Sequence, residues 1–251
     1  MTEHAMETVV YGYVHGASLL ADIARPEAEG RLPVVLSIHG GRWYFGTRHD
    51  TGAIDVRQWA GFGFFAMSID YRLVTCSPAP AAYQDVLCAI RWVHANADRY
   101  GLDPGRIFLI GMSSGGHLAS LAATLGEGRF PKTGGWDDYP ASFRAAVSVS
   151  GAYDIVSLDW GAGWAPPGEP FPDAREYASP IRHVAPDNAP QLILHSDDDP
   201  SIPIEQVLRM ADALEAAGAP YRFRRYADRG HMFITDEVIA EARDFIAEHT
   251  G

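Results

Sequence analysis

Short apolar runs alternate along this chain with segments of helical period, and no other feature narrows its fold as much. Val34–Ile38, Phe64–Ile69, Arg106–Gly111, Ala145–Val149 and Gln191–His195 are nearly continuous apolar runs bounded by turn residues, and Tyr221–Tyr226 follows them. A strand that is apolar at successive positions has both faces covered, the condition of a parallel strand under helices. Between the runs the spacing changes. Val86, Ile90, Val93 and Ala97 form one stripe of a helix predicted over roughly Ala81–Ala97. Leu118, Leu121, Ala122 and Leu125 form another after Ser113. Ile204, Val207, Leu208, Ala211 and Leu214 keep the period behind Pro203, which suits a first helical turn. Val238, Ile239, Ala242, Phe245 and Ile246 face inward from a last helix, for which Asp236 is the expected N-cap. Thr8–Val14 and Ser18–Ile23 add an antiparallel start, joined by a turn with glycine. The expected fold class is α/β: one domain spanning 1–251, with an eight-stranded, mostly parallel sheet flanked by helices.

Two segments break the alternation. Residues 126–142 are rich in glycine and charge and carry Trp136; residues 154–188 hold many prolines with Trp160, Trp164, Phe171 and Tyr177. Long irregular stretches inside a compact domain are usually functional. Both are expected to form a small cap over a site, with the aromatics suiting an apolar pocket or an ordinary core.

Four motifs carry chemistry. Gly111-Met112-Ser113-Ser114-Gly115 follows a strand and opens a helix, the context this pattern needs to raise a serine on a tight turn. Ser113 is the expected nucleophile, with Ser114 as competitor. His39-Gly40-Gly41-Arg42-Trp43 follows the strand Val34–Ile38. Glycines without side chains bring backbone N–H groups close to a substrate oxygen, so Gly40 and Gly41, with the N–H of Ser114, are the expected oxyanion hole. His39 precedes the serine and ends a strand; its expected role is to hold the loop. Trp43 either lines a pocket or packs under the cap. His195-Ser196-Asp197-Asp198-Asp199-Pro200 follows the strand ending near Leu194, at the sheet edge where ligands bind in open α/β folds. Asp199, just before a Pro-x-x-Pro turn, is the favoured acid, with Asp197 next. Hard-oxygen metal binding by the aspartates lacks a second ligand motif, and neither metal nor cofactor is expected. Gly230-His231-Met232-Phe233 places His231 after the acid, in the chain order nucleophile, acid, base.

Charge and composition narrow the partners. A formal net charge of −12 repels phosphate backbones, so nucleic acid is excluded as the expected ligand. The start, MTEHAMETVVYGY, has neither a basic n-region nor an apolar h-region, and no run approaches the roughly 20 apolar residues of a membrane helix. The expected setting is the cytoplasm, away from membranes, with Cys76 and Cys88 reduced.

Together these motifs, with Asp70-Tyr71-Arg72-Leu73 and the continuation Gly116-His117-Leu118, resemble the α/β-hydrolase esterases. The similarity runs from about Val34 to Phe245. It is nearest to the hormone-sensitive-lipase-like and acetylxylan/feruloyl esterase branches and to kynurenine formamidases. The resemblance implies an α/β-hydrolase fold and a serine carboxylic-ester hydrolase that forms an acyl-enzyme on small or aromatic acyl esters. The alternative it implies is an amidase or arylformamidase on the same triad. It makes Asp70, Tyr71, Arg72 and Asp85 structural pairings. Arg42 departs from the pattern, standing where many such esterases have a third glycine and formamidases often have tyrosine. It places a cation either near the site, favouring an acidic substrate, or on a solvated loop. Arg42, Trp43, Trp160 and Trp164 are the expected substrate contacts, with a small-molecule ester as partner and a homodimer as a possible assembly.

Overall fold

The computed structural model describes residues 4–50, 52–164 and 173–250. Its strands are β1 Met6–Val14, β2 Ala17–Ala24, β3 Leu32–Ile38, β4 Phe65–Ile69, β5 Leu102–Met112, β6 Ala145–Val149, β7 Gln191–Ser196 and β8 Tyr221–Tyr226. They form one sheet in the order β1-β2-β4-β3-β5-β6-β7-β8. β1/β2 and β2/β4 pair antiparallel and every later pair is parallel, so β2 alone runs against the others. This is the sheet of an α/β hydrolase. The helices are α1 Val56–Gly61, α2 Ala81–Ala95, α3 Ala97–Tyr100, α4 Ser114–Leu125, α5 Ala174–Tyr177, α6 Ile204–Ala217 and α7 Asp236–Glu248.

The period of two in β3 shows why both faces must be covered. Val34, Leu36 and Ile38 enter a core with Val86, Ile90 and Leu118 of α2 and α4, while Val35 enters another with Val56 and Trp59 of α1 and Val238 and Phe245 of α7. Ile193 of β7 meets Val207, Met210 and Leu214 of α6. Several boundaries differ from expectation. β5 begins at Leu102, ahead of Arg106, and Pro203 is the N-cap of α6 and precedes its first turn. The helix predicted over Ala81–Ala97 stops at Ala95, and Asn96 separates it from α3. The cap of α7 is Thr235, whose hydroxyl accepts from Val238 N–H, so Asp236 lies inside the first turn instead. An acidic residue there still favours the positive end of the helix.

Chain direction fixes where a site can form. From β3 the chain crosses over α1 to β4, then returns by α2, on the opposite face, to β5. β3 and β5 are neighbours whose connections depart to opposite sides, which opens a crevice beyond their carboxyl ends. Ile38 and Met112 are those ends. Among the described residues no helix is long and apolar enough to cross a membrane.

Candidate active site

Ser113 makes the reversal between β5 and α4 by itself, at φ 57° and ψ −118°. A non-glycine residue in this region carries strain of about 1–3 kcal/mol and persists only where its surroundings impose it. Here Ser113 N–H donates to Val149 O at 2.8 Å, and its carbonyl accepts from His117 N–H at 2.9 Å. The flanking glycines allow strand, helix and neighbouring loop to approach. A Cβ on Gly111 would stand 2.1 Å from Gly115 O, and one on Gly115 would stand 2.0 Å from Ile38 O. The competing Ser114 is buried, with its hydroxyl 3.4 Å from Tyr71 Oη.

The loop after β3 lies against the serine. A Cβ on Gly40 would come within 3.3 Å of Ser113 Cβ. Gly41, Arg42 and Trp43 follow with φ of 113°, 52° and 66°, three residues in succession in the left-handed half of the map. Their surroundings hold them there. Trp43 is fully buried, its ring centroid 5.1 Å from that of His117, 5.0 Å from Trp160 and 5.2 Å from Trp164. Its carbonyl accepts from Val74 N–H at 2.9 Å. His39 stacks on Tyr71 with centroids 4.1 Å apart and donates from Nδ1 to Gly40 O at 2.6 Å. Burial lowers the His39 pKa, which suits a neutral, loop-holding ring.

This arrangement corrects two expected substrate contacts. Trp43 and Trp164 are buried under the loop and take no part in the cavity wall. Large indoles gain more from mutual burial than from contact with an open cavity. Trp160 is half-buried and meets the cavity wall through Arg42 and Ser201. Phe171 lies outside the described residues. Residues 126–142 also take a place other than the expected cap. Gly134 bridges to Tyr13 and Trp136 donates to Tyr11 O at 2.7 Å, while Gln84 and Arg91 of α2 donate to Pro131 O and Thr133 O, so the segment is held against β1 and α2. None of its residues lines the cavity that Ser113 enters.

Each aspartate of the acid loop meets a different partner. Asp199 Oδ1 and Oδ2 lie 3.0 and 2.9 Å from His231 Nδ1. Oδ1 also accepts from Ser201 N–H at 2.8 Å and Ile202 N–H at 3.0 Å. Burial raises the Asp199 pKa, but the His231 contact and these amides outweigh it and hold the carboxyl below its ordinary range. Asp198 accepts from Ser196 Oγ at 2.6 Å and Gly230 N–H at 2.8 Å, tying the acid loop to the histidine loop. Asp197 pairs with Arg225 at the surface. A second histidine, His195, is buried with Nε2 3.6 Å from Asp199 Oδ2; Nε2 donates to Ile202 O at 3.0 Å. Burial lowers its pKa.

Ser113 and His231 line one cavity of about 650 Å³ with Gly40, Gly41, Arg42 and Ser201. With Nδ1 on Asp199, the ring's other nitrogen points away from the acid. The motifs alone did not disclose the rest of the wall. Phe45, two residues past Trp43, and Phe233, the last residue of the histidine motif, are exposed aromatics on it to which the motifs gave no role. The wall segment Gly46–Asp50 is latched by Arg48, which reaches Asp22 at 3.0 Å and also pairs with Asp70. A groove of about 940 Å³ at the amino ends of β3 and β5, beside Tyr100 and Gly101, holds none of these groups. Among the described residues no group of three His, Cys, Asp or Glu is placed to hold a metal ion.

Known proteins share this family and fold. The BD-FAE family model matches residues 21–214. The probable carboxylic ester hydrolase LipM of Mycobacterium tuberculosis is 31% identical over 97% of this chain and 58% of its own length. The chain spans between 48% and 61% of LipM, LipC and LipQ of that organism. A truncated carbohydrate esterase from gut microbiota superposes with a TM-score of 0.85 at 26% identity, covering 99% of this chain and 97% of that one. Thermogutta terrifontis esterase 2 shares the fold, with a TM-score of 0.85 at 23% identity over 96% of this chain and 94% of its own.

Proposed function

The chain belongs to the BD-FAE family, and from that premise we propose that it is a serine carboxylic-ester hydrolase working through an acyl-enzyme. The observation that carries the reading is the His231 imidazole, held by Asp199 and lining the same cavity as the strained Ser113. The names of the relatives, carboxylic ester hydrolases and esterases, agree with it.

In the proposed cycle, His231 Nε2 takes the proton of Ser113 Oγ as the oxygen attacks the ester carbonyl. Asp199 fixes the tautomer that makes Nε2 the acceptor and stabilises the imidazolium that forms. The charge on the former carbonyl oxygen meets the N–H groups of Ser114 and Gly41, with Gly40 beside them. Ser114 is the first residue of α4, whose opening N–H groups have no acceptor within the helix. His231 returns its proton to the leaving alkoxide. Water, deprotonated by the same nitrogen, then releases the acid.

Turnover of p-nitrophenyl acetate tests this. The wild type should show an acyl-enzyme burst, and Ser113→Ala should lose about 10⁴-fold or more in kcat. An alanine variant with wild-type turnover would refute the assignment. Including a formyl anilide tests the amide-cleaving alternative, which no observation here favours. Cys76 and Cys88 are both free thiols, which supports a cytoplasmic setting as part of the proposal.

A further inference from the structure

We propose that Arg42 gives the cavity a preference for esters that carry a carboxylate a few bonds from the cleaved carbonyl. This rests on the ester-hydrolase reading and names its substrate class. Arg42 lines the cavity with Ser113 and His231. It follows directly on Gly41, so its Cα lies about 3.8 Å from that of an oxyanion donor. Its φ of 52° is uncommon for a side chain of this size and is imposed by the buried Trp43 behind it.

The guanidinium is exposed, yet steered. Nη2 lies 3.5 Å from Ser201 Oγ, and Cζ stands 5.5 Å from the centroid of the Trp160 ring. Trp160 in turn donates from Nε1 to Ser201 O at 3.2 Å, so the ring that orients the arginine is tied to the acid loop. Among the described residues no carboxylate pairs with Arg42, whereas Arg48 and Arg72 each meet an aspartate. Asp50, the carboxylate in the cavity wall, accepts from Thr47 N–H. In a chain of net charge −12, a guanidinium that none of the described residues pairs with a carboxylate offers an acidic ligand a local positive charge in the wall that also holds Asp50. Its planar fork matches a carboxylate in bidentate fashion, which a lone surface ammonium does not. Phe45 and Phe233 supply apolar contact for the rest of the ester.

The carboxylate can belong to the acyl or to the alcohol part, and paired substrates separate the two. On the acyl side, p-nitrophenyl hemiglutarate is compared with p-nitrophenyl valerate; on the alcohol side, 4-acetoxybenzoate with 4-acetoxytoluene. The readout is the ratio of kcat/KM for the charged ester over its neutral partner, in which any general loss of activity cancels. Arg42→Gln should lower that ratio about fivefold or more on at least one side, and Arg42→Lys should lower it less. The wild-type ratio should also fall as salt rises to about 0.5 M. Ratios equal in wild type and Arg42→Gln on both sides, with turnover intact, overturn the proposal alone. Failure of the wild type to turn over any of the four esters overturns the hydrolase reading and this proposal with it.

Discussion

Asp197, Asp198 and Asp199 share a residue type and a loop, but their neighbours give them different work. Asp199 sits where the turn before Pro203 points two amide groups at its carboxylate, and the remaining acceptor capacity meets His231. Asp197 spends its charge on Arg225 at the surface, where an ion pair contributes about 1 kcal/mol or less. Asp199→Asn should therefore lower kcat/KM about 10³-fold or more, because the amide favours the wrong histidine tautomer. Asp197→Asn should stay within about threefold of the wild type. Steady-state rates of the two variants, measured side by side, check this; comparable losses would contradict the division of labour. The choice of Asp199 was legible because its turn residues are local. The bond from Asp198 to Gly230 was not, since it joins loops far apart in the chain with no shared spacing.

At the scale of elements, the loop Gly40–Trp43 and the helix α4 behave as one unit. The loop's positive-φ residues are held by a cluster of Trp43, His117, Trp160 and Trp164 drawn from the loop, α4 and residues 160–164. Trp43→Ala should cost about 3–5 kcal/mol of stability in urea denaturation, together with a loss of kcat as the loop proposed to hold the oxyanion relaxes. Loss of kcat without loss of stability would instead make Trp43 a substrate contact. His117 adds a pH dependence. It is buried, and burial lowers its pKa from 6.5 to about 4, while its Nε2 donates to Ala178 O at 2.7 Å. Between those two values the unfolded chain binds the proton and the folded one does not, so stability rises with pH through that window and is lost as the solution is acidified. The contribution of His117 is on the order of 3 kcal/mol. His117→Gln keeps a donor for Ala178 and should flatten the fall in urea midpoint between about pH 6.5 and pH 4. A variant with the wild-type pH profile would show that His117 is not the sensing group. Sequence spacing located the Gly-Gly motif. It left Trp43 between a pocket wall and a buried seat, because the partners that decide, at 117, 160 and 164, belong to other elements.

At the scale of the molecule, the strand runs and their helices were legible because burial on two faces writes continuous apolar segments, and every parallel strand expected from them is present. The placement of residues 126–142 was not. Their composition says only that they are irregular, whereas their seat against β1 and α2 rests on tertiary hydrogen bonds from Trp136, Tyr13, Gln84 and Arg91. What the sheet contributes to function is position. It brings the ends of β3 and β5 together; the loop after β8 delivers His231 to the cavity that Ser113 lines, and the loop after β7 sets Asp199 against its Nδ1. The most direct measurement of this convergence is intact-mass and peptide mapping after reaction with a fluorophosphonate, on the wild type and on His231→Ala. A single stoichiometric adduct on Ser113 is expected, formed at least about 10³-fold more slowly without the imidazole. An adduct on another residue, or equally rapid labelling of Ser113 in both proteins, would contradict it.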